Sequence, residues 1–205
     1  MKRILFAIAC LVPIFVYLSM SSKSEKIILI VGDSLSYAYG IKPKDSWISL
    51  LKERLADRKY TYKLVNFSIP GDETGKALKR FTWAVKEYKP VITILELGAN
   101  DGLHHLPVDD IRKNLLQMIV QAKKMGSKVI LMGMRLPLDY NSNYRNSFAS
   151  IYPALAKQEQ ITLVPLLLKN VDSNAKLLLA DKIHPVKEAQ PTLLDNMWPY
   201  LEELL

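Results

Sequence analysis

The stretch Ile27-Ile28-Leu29-Ile30-Val31-Gly32-Asp33-Ser34-Leu35-Ser36 decides the fold. Five consecutive aliphatic residues predict a strand buried on both faces, and such strands belong to parallel sheets covered by helices. Gly32-Asp33-Ser34 is then a sharp turn at the strand's C-terminal end, the edge where open α/β sheets build their sites. A serine placed there exposes its hydroxyl beside backbone N–H groups, as a nucleophile requires. Plain Asx and Ser turns also follow strands, so a catalytic Ser34 has to be supported from elsewhere in the chain.

Outward from that turn, strand and helix patterns alternate. Asp45-Ser46 caps a predicted helix with apolar residues at Trp47, Ile48, Leu50, Leu51 and Leu55, and Tyr60 to Phe67 reads as a second strand. Ala77, Leu78, Phe81, Ala84, Val85 and Tyr88 form a helical stripe that Lys89-Pro90 ends, before a strand from Val91 to Leu97. Asp109-Asp110 opens a helix that stops at Gly126, and Lys128 to Met134 is the fourth strand. A polar connection from Arg135 to Asn146 leads to a helix through Phe148, Ile151, Tyr152 and Leu155, and Ile161 to Val164 is a short fifth strand. Leu166-Leu167-Leu168 and Leu177-Leu178-Leu179 are too short to assign, as helical turn or as pocket lining, and a last helix starts at Pro191. Five alternations predict an α/β fold in which a five-stranded parallel sheet carries helices on both faces.

The 205 residues, 49% of them hydrophobic, suffice for one domain with a proper core, placed at about residues 25–205. One cysteine and three histidines provide neither a disulfide framework nor zinc-ligand spacing, so no metal or other cofactor is expected. The net charge of +8 comes from lysines interspersed with acids, without a basic run interleaved with aromatics, which argues against nucleic acid and is compatible with contact to an anionic lipid surface. Lys2-Arg3, the apolar run Ile4 to Met20 and the polar Ser21 to Lys26 have the three regions of an export signal. Residues 1–21 therefore read as a signal peptide, leaving a soluble periplasmic protein. The alternative is retention as an inner-membrane anchor over residues 4–20, against which Pro13 and the 17-residue length count. Lipidation at Cys10 is disfavoured, because only six apolar residues precede it.

Three predicted strand ends present Ser34, Gly71 and Asn100 at one sheet edge, and two backbone N–H groups with one side-chain amide suffice to hold an oxyanion. A serine also needs a base. Asp181-Lys182-Ile183-His184 supplies an imidazole and, three residues before it, a carboxylate; one helical turn would bring them together. Asp101-Gly102-Leu103-His104 has the same spacing, but Gly102 disfavours a helical turn and Asp101 directly follows Asn100, so His184 is the preferred base. The connection after the fourth strand makes Arg135, Leu136 and Pro137 candidate substrate-binding residues.

Gly32-Asp33-Ser34-Leu35-Ser36, Gly71, Gly98-Ala99-Asn100-Asp101 and Asp181-Lys182-Ile183-His184-Pro185 occur in the order of the four blocks of the SGNH (GDSL) hydrolases, which the chain resembles from about residue 27 to its end. Glu96 to Leu103, Arg135-Leu136-Pro137 and Phe148 to Pro153 are similar to the exported bacterial branch of acyl-CoA thioesterases, lysophospholipases and arylesterases. The resemblance implies a flavodoxin-like three-layer sandwich, Ser34 as nucleophile, His184 as base, Asp181 as its orienter, an oxyanion hole from Ser34, Gly71 and Asn100, and hydrolysis of acyl esters or thioesters. Two departures stand out. Glu73 replaces a common Thr, and His104-His105 replace Arg-Gly in a loop that closes over substrate in relatives, which makes Leu103 and His104 candidates for acyl-chain preference. Removal of O-acetyl groups from envelope glycans is the rival activity, which the leucine runs oppose if they line an acyl pocket. A non-catalytic binding module is the third reading, opposed by the full set of catalytic residues. No obligate protein partner is expected.

Overall fold

The computed structural model describes residues 25–205, so both readings of residues 1–21 fall outside the described part. Strands β1 (Lys26–Gly32), β2 (Tyr62–Asn66), β3 (Ile92–Glu96), β4 (Lys128–Met132) and β5 (Thr162–Val164) form one parallel sheet in the order β2-β1-β3-β4-β5. The chain leaves β1 toward one side and returns to β3 on the other, so the switch point lies between β1 and β3, whose ends carry Ser34 and Asn100. Ile28 to Val31 and all of β3 are buried, which is why these strands are nearly unbroken apolar runs.

Among the described residues seven α-helices complete the fold: α1 (Ser34–Tyr37), α2 (Trp47–Asp57), α3 (Thr74–Tyr88), α4 (Ala99–Leu103), α5 (Val108–Lys124), α6 (Ser142–Glu159) and α7 (Gln190–Glu202). α3 packs on α5 and α5 on α6, while α2 packs on α7, giving a helical layer on each face as right-handed crossovers require. In α3, Ala77, Phe81, Ala84 and Val85 face inward at helical spacing, and complete burial of a side chain such as Phe81 stabilises by roughly 1.5–3 kcal/mol. Ser46 caps α2 by accepting from the Ser49 N–H. A left-handed Lys89, followed by Pro90, ends α3.

One boundary is corrected: α6 begins at Ser142, inside the connection expected to run to Asn146, because the Asn141 side chain accepts from the N–H groups of Asn143 and Tyr144 and starts the helix there. Of the two assignments open for the leucine runs, the helical turn holds for both: Leu168 O accepts from the N–H groups of Val171 and Asp172, and Leu177 ends a 3-10 turn from Ala175. Leu167 is fully buried, Leu168, Leu177 and Leu178 pack on the core, and Leu178 pairs antiparallel with Pro185 to close the loop that carries His184.

Candidate active site

Ser34 opens α1, and the preceding Asp33 caps it by accepting the Leu35 N–H. Across the sheet edge, the hairpin closed by Leu178 and Pro185 brings His184 Nε2 to 2.8 Å from Ser34 Oγ, and His184 Nδ1 lies 2.7 Å from Asp181 Oδ2. The other Asp181 oxygen accepts the N–H groups of Ile183 and His184 at 2.9 and 3.0 Å. Partial burial pushes the Asp181 carboxyl up, but these N–H groups and the ring outweigh it and hold the group down at about 2. The carboxylate is therefore ionised at neutral pH, and it fixes the ring with Nε2 facing the serine.

The pair does not meet through a helical turn. Lys182 takes a left-handed conformation, φ 59°, and the tight turn it makes folds Asp181 back onto His184. The competing Asp101 to His104 segment is the helical one, since α4 runs through Gly102. A Cβ on Gly102 would strike Leu136 and Phe148, so the glycine is there for close packing and not to break the helix. What excludes His104 is where its partners lie. Asp101 accepts from Thr74 N (2.8 Å) and Thr74 Oγ1, capping α3 from outside, while His104 Nδ1 sits 2.9 Å from Glu73 Oε1. His105 stacks on Tyr140.

Beneath Ser34 lies a buried acid pair. Glu96 Oε2 accepts from Ser36 Oγ at 2.6 Å and from the Asp33 N–H at 3.3 Å, and Asp33 Oδ2 accepts from Asn100 Nδ2 at 3.0 Å. Burial raises both carboxyls, Asp33 to about 6 and Glu96 well above the usual range, with the Asp33 charge adding to the effect on Glu96. A Cβ at Gly32 would come within 2.6 Å of Glu96 Oε2 and 2.8 Å of Ser36 Oγ, so glycine is required for the carboxyl to reach the turn. Glu96 was not singled out as a site residue. Its signal in the sequence is a carboxyl closing the apolar run Ile92-Thr93-Ile94-Leu95, in a strand with no water to hydrate it.

The proposed oxyanion donors sit on neighbouring loops. The Ile69 N–H donates to Gly32 O, and Asn100 Nδ2 donates to Asp72 O at 3.1 Å, on either side of Gly71. Arg80 anchors this loop by donating from Nε and Nη2 to Asp72 Oδ2 and from Nη1 to Phe67 O. Among the described residues the N–H groups of Ser34 and Gly71 donate to no protein acceptor, which leaves them for a ligand oxygen. Asn100 spends both amide hydrogens on Asp33 and Asp72, so at an oxyanion it would exchange one of them. Of the candidate substrate-binding residues, Leu136 is a core residue packed on Gly102, because the closely approaching α4 leaves its side chain no open face. Leu103 is half-buried and its carbonyl accepts from Tyr140 Oη. Arg135 donates to Asp172, and Pro137 and His104 are exposed. No group of three or more metal-ligating side chains forms among the described residues.

A serine in line with a histidine and an aspartate, set at the C-terminal edge of a five-stranded parallel sheet, is the constellation of an α/β serine hydrolase. Residues 30–190 match the GDSL-like Lipase/Acylhydrolase family, and the chain belongs to it. It is 41% identical to Esterase TesA of Pseudomonas aeruginosa over 89% of this chain and 90% of that one. It is 32% identical to thioesterase 1/protease 1/lysophospholipase L1 of Escherichia coli, over 93% of this chain and 90% of that one. The crystal structure of TesA superposes with a TM-score of 0.86 at 42% identity, covering 88% of this chain and all of the other.

Proposed function

We propose that this protein hydrolyses acyl esters or thioesters through an acyl-enzyme on Ser34. The observation that carries the reading is the unbroken relay Asp181–His184–Ser34, with contacts of 2.7 and 2.8 Å. His184 takes the serine proton, Ser34 Oγ attacks the carbonyl carbon, and the oxyanion is held by the N–H groups of Ser34 and Gly71 and the Asn100 amide. The imidazolium then gives its proton to the departing alcohol or thiol. Water repeats the sequence on the acyl-serine, releasing the acid and restoring the hydroxyl.

The substrate class follows the relatives, which are an esterase and a thioesterase/lysophospholipase, and the complete relay argues against a module that only binds. Contact with a lipid surface is supported by exposed apolar residues next to the catalytic groups: Tyr37 and Tyr39 follow Ser34, Ile69 precedes Gly71, and Ile183 adjoins His184. No described helix is long and apolar enough to cross a membrane. Export, with residues 1–21 as the signal, rests on the three-region pattern there, and fractionation with mass spectrometry of the N-terminus tests it. The activity is tested with nitrophenyl esters from acetyl to palmitoyl beside a lysophospholipid, an acyl-CoA and an O-acetylated glycan. Ser34→Ala is expected to abolish turnover with the fold unchanged, and a folded variant that keeps most of the activity would refute the serine mechanism.

A further inference from the structure

We propose that Tyr39 is a positioning residue for the base, its ring lying over the His184 imidazole to hold Nε2 toward Ser34 and to stabilise the imidazolium formed during acyl transfer. The inference rests on the serine mechanism above and adds a fourth side chain to it.

The ring centroids of Tyr39 and His184 are 4.5 Å apart, with the planes tilted by 42°. Tyr39 is 49% exposed and lies outside the hydrophobic core, and its hydroxyl has no hydrogen-bond partner among the described residues. Packing energy therefore does not explain why the ring is held where it is. The backbone does hold it. Ala38 is left-handed (φ 73°), the Tyr39 N–H donates to Ser34 O at 3.1 Å, and Gly40 is left-handed again (φ 74°). A Cβ on Gly40 would collide with the Leu179 side chain, and the Leu179 N–H donates to His184 O at 2.7 Å. The segment after the nucleophile and the loop bearing the base are thus locked together, and the contact they enforce at the site is Tyr39 on His184. A single αL residue already costs free energy when it is not glycine, so Ala38 is not a neutral choice for a plain loop.

The chemistry gives the contact a purpose. His184 is neutral when it removes the serine proton and cationic while the tetrahedral species exists, so any group that favours the cation lowers the barrier. Asp181 occupies Nδ1 and Ser34 occupies Nε2, and the Asp33 carboxyl interacts with the ring through its charge. With both nitrogens taken, the ring face is where an aromatic can act, its negative face attracting a cation. Nothing in the sequence marked Tyr39, since a tyrosine five residues beyond a serine has no pattern of its own.

The test compares Tyr39→Phe, Tyr39→Leu and Tyr39→Ala on nitrophenyl acetate, with kcat/KM measured against pH and thermal midpoints measured alongside. Tyr39→Ala and Tyr39→Leu are expected to lower kcat about three- to tenfold, or about 0.6–1.4 kcal/mol of barrier, with KM within about twofold. The acid limb of kcat/KM is expected to move to lower pH, and Tyr39→Phe, which keeps the ring, to restore most of the rate. An unchanged kcat in Tyr39→Ala, an unmoved acid limb, a Leu variant as active as the Phe variant, or a Phe variant as impaired as the Ala variant would overturn the proposal. Ser34→Ala and His184→Ala run in the same series separate the two readings. If they remain active the mechanism itself fails, whereas if they are dead and Tyr39→Ala is not, only the role of Tyr39 fails.

Discussion

Glu96→Gln tests the buried acid pair, because it removes a proton while keeping the shape. In the folded protein Glu96 is fully buried and its carboxyl is raised well above the usual 4.5 by burial first and the Asp33 charge second. Its neutral form is therefore favoured more strongly in the folded protein than in the unfolded chain. A carboxyl with a raised folded value stabilises fully below its unfolded value, and that contribution is lost as pH rises toward the folded value. For one such group the slope is at most about 1.36 kcal/mol per pH unit. Glutamine does not titrate, and its carbonyl oxygen can accept from Ser36 Oγ and the Asp33 N–H as Glu96 Oε2 does. Urea unfolding of both proteins at pH 4.5, 6 and 7.5 is expected to show the variant gaining steadily on the wild type as pH rises, by no more than about 1.4 kcal/mol per pH unit, with esterase activity kept within about tenfold. A stability difference that stays flat with pH would mean that Glu96 is ionised in the folded state, and the account of the pair would fall.

Asn100→Ala is expected to lower kcat by about 10²–10³ with little change in KM, as loss of a side-chain oxyanion donor does, and a pure KM effect would move Asn100 to substrate binding. Because it also strips Asp33 Oδ2 of its amide partner, the same variant should lose about 1–3 kcal/mol in urea unfolding. His184→Ala should be nearly inactive while His104→Ala stays within about tenfold, about 1.4 kcal/mol of barrier. The reverse ranking would show that the base had been assigned to the wrong Asp-x-x-His.

The sheet was readable because its central strands are buried on both faces, and burial writes a nearly unbroken apolar run that no exposed element needs. β1 and β3 are the clearest cases. The long helices were readable from period and caps, except where a cap lay inside a polar stretch, as with Asn141, while the short α1 and α4 carry too few residues to show a period. Spacing misled at the base. Three residues of separation suit a helical turn, yet the Asp181 and His184 pair is built by a left-handed Lys182, a conformation that residue type does not announce. The helical pair is Asp101 and His104, which was doubted for its glycine. What sets the two pairs apart lies outside local sequence, namely that Asp101 faces Thr74 and His104 faces Glu73. Two of the three residues noted as departures, Glu73 and His104, thus meet each other, which no reading of either alone could show.

Two aspartates flank the chemistry, and their surroundings drive them in opposite directions. Asp181, with N–H groups and an imidazole around it, is held at about 2, while Asp33, buried beneath the turn, is pushed up to about 6. Such a split assigns roles. The acid that stays ionised stands behind the base, where a fixed negative charge favours the imidazolium. The other lies under the place where an oxyanion forms, where a second negative charge would oppose catalysis, and it is joined there by Glu96. On the proposed mechanism, the raised Glu96 carboxyl keeps added negative charge away from the oxyanion, and the Asn100 amide donates to the one neighbouring carboxyl, Asp33, that is raised less.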